Sequence, residues 1–361
     1  MEVSLEISSD SPWLYYYLGR YLEEMGQLKE SITYHELGIQ ESEKFQDEMF
    51  LACNHLGIGI SQQRYCSDSQ EAEWHLLQAL NSFKTRKYLY LQAHTLVNLG
   101  SCYDRFNNSK LAIDCYQESE LILRNIENYF DLGRILYSLG IAYLNINKFP
   151  ESEKVFLEAK QLCKDNNNLY FLALTLYGIG WLEYKRGNFE ISQNYLEDSI
   201  RQLNQAKESG IGAIQLSFPE IEGNIYILAS AAYSKGSSPN FEAGEKYLED
   251  AKNAYLQLDY SKTKLLNVLA NRARLYEYSK KWSAAISAFL ELLVEGELLN
   301  SNRTITDAAT HLILIHYKKS ASFTEWIKLM QRLKWAGILI LAKEYFRQIH
   351  RFSRLLKWRR K

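Results

Sequence analysis

Apolar side chains in the first 200 residues recur at intervals of three and four positions, in stretches that span several helical turns. This spacing places one apolar stripe along a helix and predicts amphipathic α-helices. Short polar segments that contain Asn, Gly or Arg interrupt the pattern and predict reversals of the chain. The pattern therefore predicts an all-α fold that is built from pairs of antiparallel helices.

A short motif marks the first helix of each predicted pair. Five copies of this motif, in which an apolar residue precedes the glycine, stand at Leu18-Gly19, Leu56-Gly57, Leu99-Gly100, Leu139-Gly140 and Ile179-Gly180. The last three copies are separated by 40 residues twice in succession. A fixed period in this range is the sequence signature of a stacked-repeat architecture.

Each copy contains more than the glycine. Counted from Gly140, an aromatic residue follows at three, a turn residue at seven, and small, aromatic and small residues at 12, 16 and 19; these are Tyr143, Asn147, Ser152, Phe156 and Ala159. Small residues let two helix backbones approach closely, while the aromatic side chains fill the space beside them. The Gly57 copy fits only if three residues are inserted in its turn, around residues 65–69, before Ala72 and Leu76 resume the pattern.

On these residues the chain resembles the tetratricopeptide repeat superfamily, in the variety with a 40-residue period that occurs in kinesin light chains and bacterial signalling regulators. The resemblance implies a right-handed superhelical solenoid of stacked antiparallel helix hairpins. We expect about eight such units, followed by a C-terminal capping helix.

The repeat signature weakens after residue 200, so the expected domain organisation has three parts. Clear repeats cover about 12–202, and divergent repeats cover about 221–333, which together give a solenoid over 1–333. A break around Gly210 and Pro219 delays the sixth hairpin. Residues 334–361 are expected to form a basic amphipathic helix.

The C-terminal segment is strongly basic. Residues 331–361 contain ten Lys or Arg and the single acid Glu344, whereas the whole chain has a net charge of −1. The basic residues that lie mostly off the apolar face are Lys343, Arg347, Arg351, Arg354, Lys357, Arg359, Arg360 and Lys361. Two interpretations stay open, namely a cap that covers the last repeat and a helix that also contacts an anionic membrane or nucleic acid.

Composition favours a cytoplasmic protein. Five cysteines are odd in number and show no CxxC pair, which predicts reduced thiols rather than a disulfide or zinc site. Residues 1–10 lack the basic start and apolar core of a secretory signal. The longest apolar run, 335–342, has eight residues and is far shorter than the roughly 20 needed to span a bilayer.

We find no catalytic pattern and predict no enzymatic activity, metal or cofactor. The seven histidines form no HExxH motif, and none has a second ligand at metal-binding spacing. His311 and His316 are five residues apart, which does not bring them to one helix face. The glycines at 210 and 212 lack the spacing and lysine of a phosphate-binding loop.

The resemblance also implies where a partner binds. In this superfamily the first helix of each hairpin lines a concave inner wall, with inward residues six and three before the glycine and one, four and five after it. We name this surface the inner wall; the residues nominated by these offsets are Arg105, Arg134, Tyr137, Ile141, Asn145, Tyr177, Trp181, Tyr184 and Lys185. Asn98, two before Gly100, is added because peptide-binding members of the superfamily contact the ligand backbone from that position. An alternative is that the aromatic residues at its centre, Tyr137, Tyr177 and Trp181, simply pack against the next helix.

Two functions follow from this surface. The first is a non-catalytic scaffold or assembly factor that binds a segment of a partner protein in the concave groove. The alternative is a regulatory or sensor module that binds a short peptide or small ligand, with the basic tail in contact with a membrane or nucleic acid. The oligomeric state and the identity of the partner do not follow from the sequence.

Overall fold

A computed structural model describes residues 11–65, 69–106, 108–210, 218–236, 238–258, 261–299, 301–318 and Glu325. These residues contain fifteen α-helices and no strand. The helices are α1 (Pro12–Glu24), α2 (Leu28–Phe45), α3 (Glu48–Tyr65), α4 (Ser69–Arg86), α5 (Leu89–Arg105), α6 (Ser109–Asn125), α7 (Tyr129–Asn145), α8 (Phe149–Asp165), α9 (Leu169–Arg186), α10 (Phe189–Glu208), α11 (Phe218–Lys235), α12 (Phe241–Tyr255), α13 (Ser261–Tyr278), α14 (Trp282–Leu298) and α15 (Asn302–Lys318). The predicted all-α fold of helix hairpins is confirmed.

The chain divides into two compact units. Unit 1 comprises Met1–Gly187 and Asn194–Phe218, and unit 2 comprises Asn188–Gln193 and Pro219–Lys361. The expected domains at 1–333 and 334–361 stay a prediction, because the terminal segment lies outside the described residues. The second helix expected for the last pair, at about 323–333, also stays a prediction, because all of it except Glu325 lies outside the described residues.

Hydrogen bonds from buried serines join the two helices of a hairpin. Ser152 Oγ donates to the carbonyl of Gly140 at 2.8 Å, and Ser31 does the same to Gly19 at 2.8 Å. Ser119, which is 19 residues after its glycine, donates from Oγ to the Ala93 carbonyl at 2.9 Å. The small residues at 12 and 19 after the glycine therefore allow close approach and also link the two backbones.

Both kinds of turn contain a residue in the left-handed region. Seven residues after the motif glycine, Asn147 and Gly187 have φ of 59° and 87°, as the turn pattern predicts. The turns after the first four hairpins also have one, and none of these residues is glycine; they are Gln46, Lys87, Glu127 and Asn167, with φ between 51° and 58°. Their spacing of 40 or 41 residues shows that the period is set by both turns.

The structure corrects the register of the second hairpin. A Cβ on Gly59 would lie 2.6 Å from the Leu76 side chain of the same hairpin, as one on Gly140 would lie 2.4 Å from Phe156. A Cβ on Gly57 would instead lie 2.3 Å from the His35 ring of the preceding hairpin. Gly59 is therefore the motif glycine, and the turn contains one extra residue rather than three.

A planar ring at position 16 is held between two glycines in two hairpins. The Phe156 ring lies against Gly140 and also against Gly178, where an added Cβ would approach to 2.6 Å. His35 lies in the same way between Gly19 and Gly57. The second glycine of each pair belongs to the first helix of the next hairpin, so one ring fills the space between three helices.

In the sixth hairpin the two small residues of the motif exchange places. The sixth hairpin has Ser230 where others have glycine, and Gly244 where others have serine. A Cβ on Gly244 would lie 3.5 Å from the Ser230 carbonyl, so the second helix still approaches this point closely. The seventh hairpin keeps the expected positions, since Ala273, Ala285 and Phe289 are fully buried.

Candidate functional site

The first helices of unit 1 lie side by side, so residues at equal distances from the motif glycine form rows across α1, α3, α5, α7 and α9. His94 and Arg134 are both six residues before their glycines. Burial is the largest cause of the lowered pKa of His94, and the charge of Arg134 is the next largest. Tyr137 and Tyr177 are both three residues before their glycines. Burial is the largest cause of the raised pKa of Tyr137, and Tyr177 is the next largest. Equivalent positions of neighbouring hairpins are therefore close in space.

Aromatic residues occupy the centre of the inner wall. Tyr177 and Trp181 lie one turn apart in α9, with ring centroids 6.3 Å apart, and the Tyr137 ring lies 6.3 Å from that of Phe156. Tyr137, Ile141 and Trp181 pack against a buried cluster that includes Leu144 and Phe156. These side chains are half-buried, so they pack within the solenoid and still present part of their surface.

Burial keeps the central phenols protonated. It raises the pKa of Tyr177 to about 12, and it raises the pKa of Tyr137 further. Both hydroxyl groups therefore remain hydrogen-bond donors at physiological pH. The wall offers apolar rings with neutral polar edges at its centre.

A polar cluster lies beside the aromatic centre, at the N-terminal part of α5 and α7. Tyr90 stacks on His94 with 6.4 Å between ring centroids. The Arg134 Nε lies 3.5 Å from Asp131 Oδ1. Burial first, and then the charges of Arg134 and Arg20, lower the pKa of His94 to about 3, so this imidazole is neutral at pH 7.

Two nominated residues bond to the chain itself. The Asn98 amide donates to the His94 carbonyl at 2.8 Å within α5. The Arg105 guanidinium donates to the carbonyl of Gln63 in the last turn of α3, where a cation is favourable. Arg105 therefore joins two first helices.

The remaining nominated residues differ in exposure. Tyr184 is half-buried, whereas Asn145 and Lys185 at the C-terminal ends of their helices are exposed. The role of the inner-wall residues in binding stays a prediction. The basic tail residues lie outside the described part of the chain.

Asp104 is an unusual carboxyl group on the same wall, four residues after Gly100. Burial raises its pKa to about 6, although a hydrogen bond from Tyr116 opposes the shift. The Tyr116 hydroxyl lies 3.5 Å from Asp104 Oδ2, and Asp104 Oδ1 is buried with no hydrogen-bond partner. The resemblance placed Asp104 on the wall, but its raised pKa depends on burial that the sequence pattern does not encode.

Histidines form contacts that their sequence spacing does not show. His55 Nδ1 and His75 Nδ1 are 2.8 Å apart across α3 and α4. In unit 2 the buried Glu277 accepts hydrogen bonds from His311 Nδ1 and Lys318 Nζ, each at 2.7 Å. Within the described ranges, no group of three or more His, Cys, Asp or Glu is arranged to hold a metal ion.

Two further properties concern membrane-spanning helices and the state of the cysteines. Among the described helices, none is long and apolar enough to cross a membrane. Cys53, Cys102, Cys115 and Cys163 are free thiols. Burial raises the pKa of Cys53 and Cys163 to about 11, so both remain protonated and unreactive at neutral pH.

No family model matches the chain. The 43 kDa receptor-associated protein of the synapse from Gallus gallus is 22% identical over 187 residues, which make up 52% of this chain and 42% of that protein. The match thus spans less than half the length of that relative.

Solved structures match over more of the chain. The quorum sensor NprR from B. thuringiensis, in its apo form, is 17% identical, covers 90% of this chain and 87% of its own, and has a TM-score of 0.65. Aspartyl phosphate phosphatase F from Bacillus subtilis is 16% identical, with coverages of 81% and 72% and a TM-score of 0.59. A Rap protein complexed with competence and sporulation factor is 12% identical, with coverages of 80% and 76% and a TM-score of 0.58. These likenesses concern the fold, and at that level they confirm the resemblance seen in the repeats.

Proposed function

We propose that this tetratricopeptide-like repeat protein is a non-catalytic, cytoplasmic scaffold that binds a segment of a partner protein on the inner wall of unit 1. The observation that carries the proposal is the aromatic centre formed by Tyr137, Tyr177 and Trp181, which is half-buried on adjacent first helices. Aromatic residues that are supported by packing on one side lose little entropy on binding and are frequent energetic anchors of interfaces.

The chemistry around this centre suits a peptide segment. The phenol hydroxyl groups can donate hydrogen bonds to backbone carbonyls, while the rings accept apolar side chains. Arg105 and Lys185 stand near the C-terminal ends of the first helices, so the groove combines apolar and cationic groups. The buried protonated thiols support a reducing compartment.

The second candidate is a regulatory module that binds a short peptide or small ligand on the same wall. It is supported by the fold likeness to proteins whose names describe a quorum sensor and a Rap protein complexed with a factor. In that case the basic C-terminal segment would supply a contact to an anionic membrane or nucleic acid.

The test is selection of displayed random dodecapeptides on the full chain, followed by affinity measurements on amidated synthetic peptides. We expect Trp181→Ala to weaken the selected peptides by at least tenfold, which corresponds to about 1.4 kcal/mol. Trp74→Ala is the matched control, because Trp74 is 52% exposed on the second helix α4, away from the wall positions. Circular dichroism and thermal unfolding verify that both variants fold.

Equal affinity of wild type and Trp181→Ala for every selected peptide would contradict the proposed groove. A partner protein and a short signalling peptide are distinguished by length. If peptides shortened to five residues keep the full affinity, the sensor alternative is favoured, whereas a scaffold interaction loses affinity as flanking residues are removed.

A further inference from the structure

We infer that the inner wall contains a carboxylate-binding subsite at Arg134, so that the bound segment carries an Asp or Glu side chain close to its apolar anchor. This inference rests on the proposed function, since it specifies the chemistry of the segment that the wall binds. It is carried by the hydrogen-bonding state of Arg134 and by the groups around it.

Arg134 differs from the other arginines of unit 1 that pair with acids. Arg20 lies 2.6 Å from Glu23, Arg124 lies 2.6 Å from Glu158, and Arg201 lies 2.7 Å from Asp198. The Arg134 Nε lies 3.5 Å from Asp131, and this buried nitrogen has no hydrogen-bond partner among the described residues. This Nε is closed off from solvent, so the unused capacity of Arg134 to bind an anion lies in its terminal N–H groups, which have no acceptor among the described residues.

Asp131 is already engaged by its own helix terminus. Its Oδ2 accepts a hydrogen bond from Asn128 Nδ2 at 2.9 Å, and its backbone N–H donates to Asn128 Oδ1 at 3.1 Å. Burial is the largest cause of the raised pKa of Tyr90, and the charge of Asp131 is the next largest. Asn128 therefore caps α7 and also bonds to the Asp131 carboxylate, which faces Tyr90, so Arg134 one turn further along has no acid closer than 3.5 Å among the described residues.

Besides Asp131, which is bonded to Asn128, the groups around Arg134 add no net negative charge. His94 lies in the same row on α5 and is neutral, so it adds a polar surface without a competing charge. The charges of Arg20 and Arg134 both act on that imidazole, from α1 and α7 respectively. Because Arg20 is bonded to Glu23, a single guanidinium remains for the ligand, which matches a singly charged carboxylate better than a doubly charged phosphate.

The repeat geometry fixes the expected spacing of the acid from the apolar anchor. Arg134 is six residues before its glycine and Trp181 one after, a difference of seven residues or about 10 Å along the helix axes. Adjacent packed helices are separated by about 9 Å, so the two side chains originate roughly 14 Å apart. An extended peptide covers this distance in about four residues.

The experiment uses the same dodecapeptide selection on the full-length chain and on Arg134→Gln. We expect wild type to enrich peptides with Asp or Glu about four residues from a large apolar residue, and Arg134→Gln to lose that enrichment. In the best peptide, Glu→Gln and the protein change Arg134→Gln should each weaken binding by at least tenfold. Combined, they should weaken it little more than either alone.

Arg201→Gln is the matched control, because Arg201 lies on the second helix α10, away from the wall positions, and pairs with Asp198, so we expect less than a threefold effect on affinity. Arg134→Lys tests the fork geometry and should recover only part of the loss. Peptides with free and amidated C-termini separate a side-chain carboxylate from a terminal one, and dependence on the free terminus would overturn the side-chain assignment.

Failure of the subsite and failure of the groove give different results. Peptides that require Trp181 but show no acidic preference, with less than twofold coupling to Arg134, would overturn the subsite and leave the groove intact. If no selected peptide depends on Trp181, the proposed function fails and the subsite fails with it.

Discussion

Replacement of His35 by Phe should remove a specific source of acid instability. His35 is fully buried between Gly19 and Gly57. Asn54 Nδ2 donates to the Phe50 carbonyl, so Asn54 Oδ1 must accept from His35 Nδ1, which lies 2.9 Å away. The proton is therefore on Nδ1, and the buried Nε2 has no hydrogen-bond partner. Burial, opposed only by the Asn54 bond, lowers the pKa of His35 to about 4.

The lowered pKa sets the sign and size of the effect. The unfolded chain takes up a proton below pH 6.5, whereas the folded chain does so only near pH 4. His35 therefore costs no stability at pH 7 but progressively more as the pH falls from 6.5 towards 4. With 1.36 kcal/mol per pKa unit, the loss between pH 7 and pH 4.5 is about 2.4 kcal/mol.

Phe156 occupies the equivalent position three hairpins further along the chain, between Gly140 and Gly178, so Phe fits this kind of site. At pH 7 we expect His35→Phe to lose about 1–2 kcal/mol, because Asn54 Oδ1 is left without a donor. The second change Asn54→Leu should recover part of that loss. At pH 4.5 the variant should equal or exceed the wild type.

Urea unfolding at pH 7 and pH 4.5, followed by circular dichroism, measures these free energies. The pH dependence of His35→Phe should be smaller than that of wild type by about 2.4 kcal/mol. If both proteins lose the same stability between the two pH values, His35 is not a neutral buried group and the argument is wrong.

Three other changes test the packing and the buried charges. Gly140→Ala should destabilise the fold by about 2 kcal/mol, because the new Cβ would lie 2.4 Å from the Phe156 ring; Phe156→Ala should then cost less in that variant than in wild type, as thermal and urea unfolding would show. Ser152→Ala removes the 2.8 Å hydrogen bond to Gly140 and should cost about 1 kcal/mol, while an unchanged urea midpoint would deny the bond a stabilising role. For Glu277, burial raises the pKa, but the hydrogen bonds from His311 and Lys318 outweigh it and lower the pKa overall. Its contribution is present above the normal carboxyl pKa and is lost in acid, so the cost of Glu277→Gln, about 2 kcal/mol at pH 7, should shrink below pH 4.

The sequence predicted the helices and most of the hairpin contacts because small and aromatic residues recur at fixed distances. It failed at Gly57 and Gly59, where two glycines stand two residues apart and both pack against a side chain of a second helix. That Gly57 contacts the preceding hairpin follows only from the three-dimensional packing. The left-handed residues at Gln46 and Glu127 were also missed, since neither residue type marks such a turn.

For the candidate site, the resemblance placed the inner-wall residues on the first helices and in common rows. The pairing of His94 with Arg134 follows from their equal distance to a glycine. The lack of a close acid at Arg134 does not, because it depends on how Asp131 is divided between Asn128 and its other neighbours. Sequence spacing gives the row of a residue but not the competition for its hydrogen bonds.

The rings held between two glycines have a consequence for how such a chain can evolve. Phe156 requires a glycine at Gly178 in the hairpin that follows it, whereas the third hairpin has Asn98 at the corresponding position. A copy of the third hairpin inserted after the fourth would bring the Asn98 side chain against the Phe156 ring. The order of the repeats is therefore specified pair by pair, and duplication or exchange of a hairpin requires a compensating change in its neighbour.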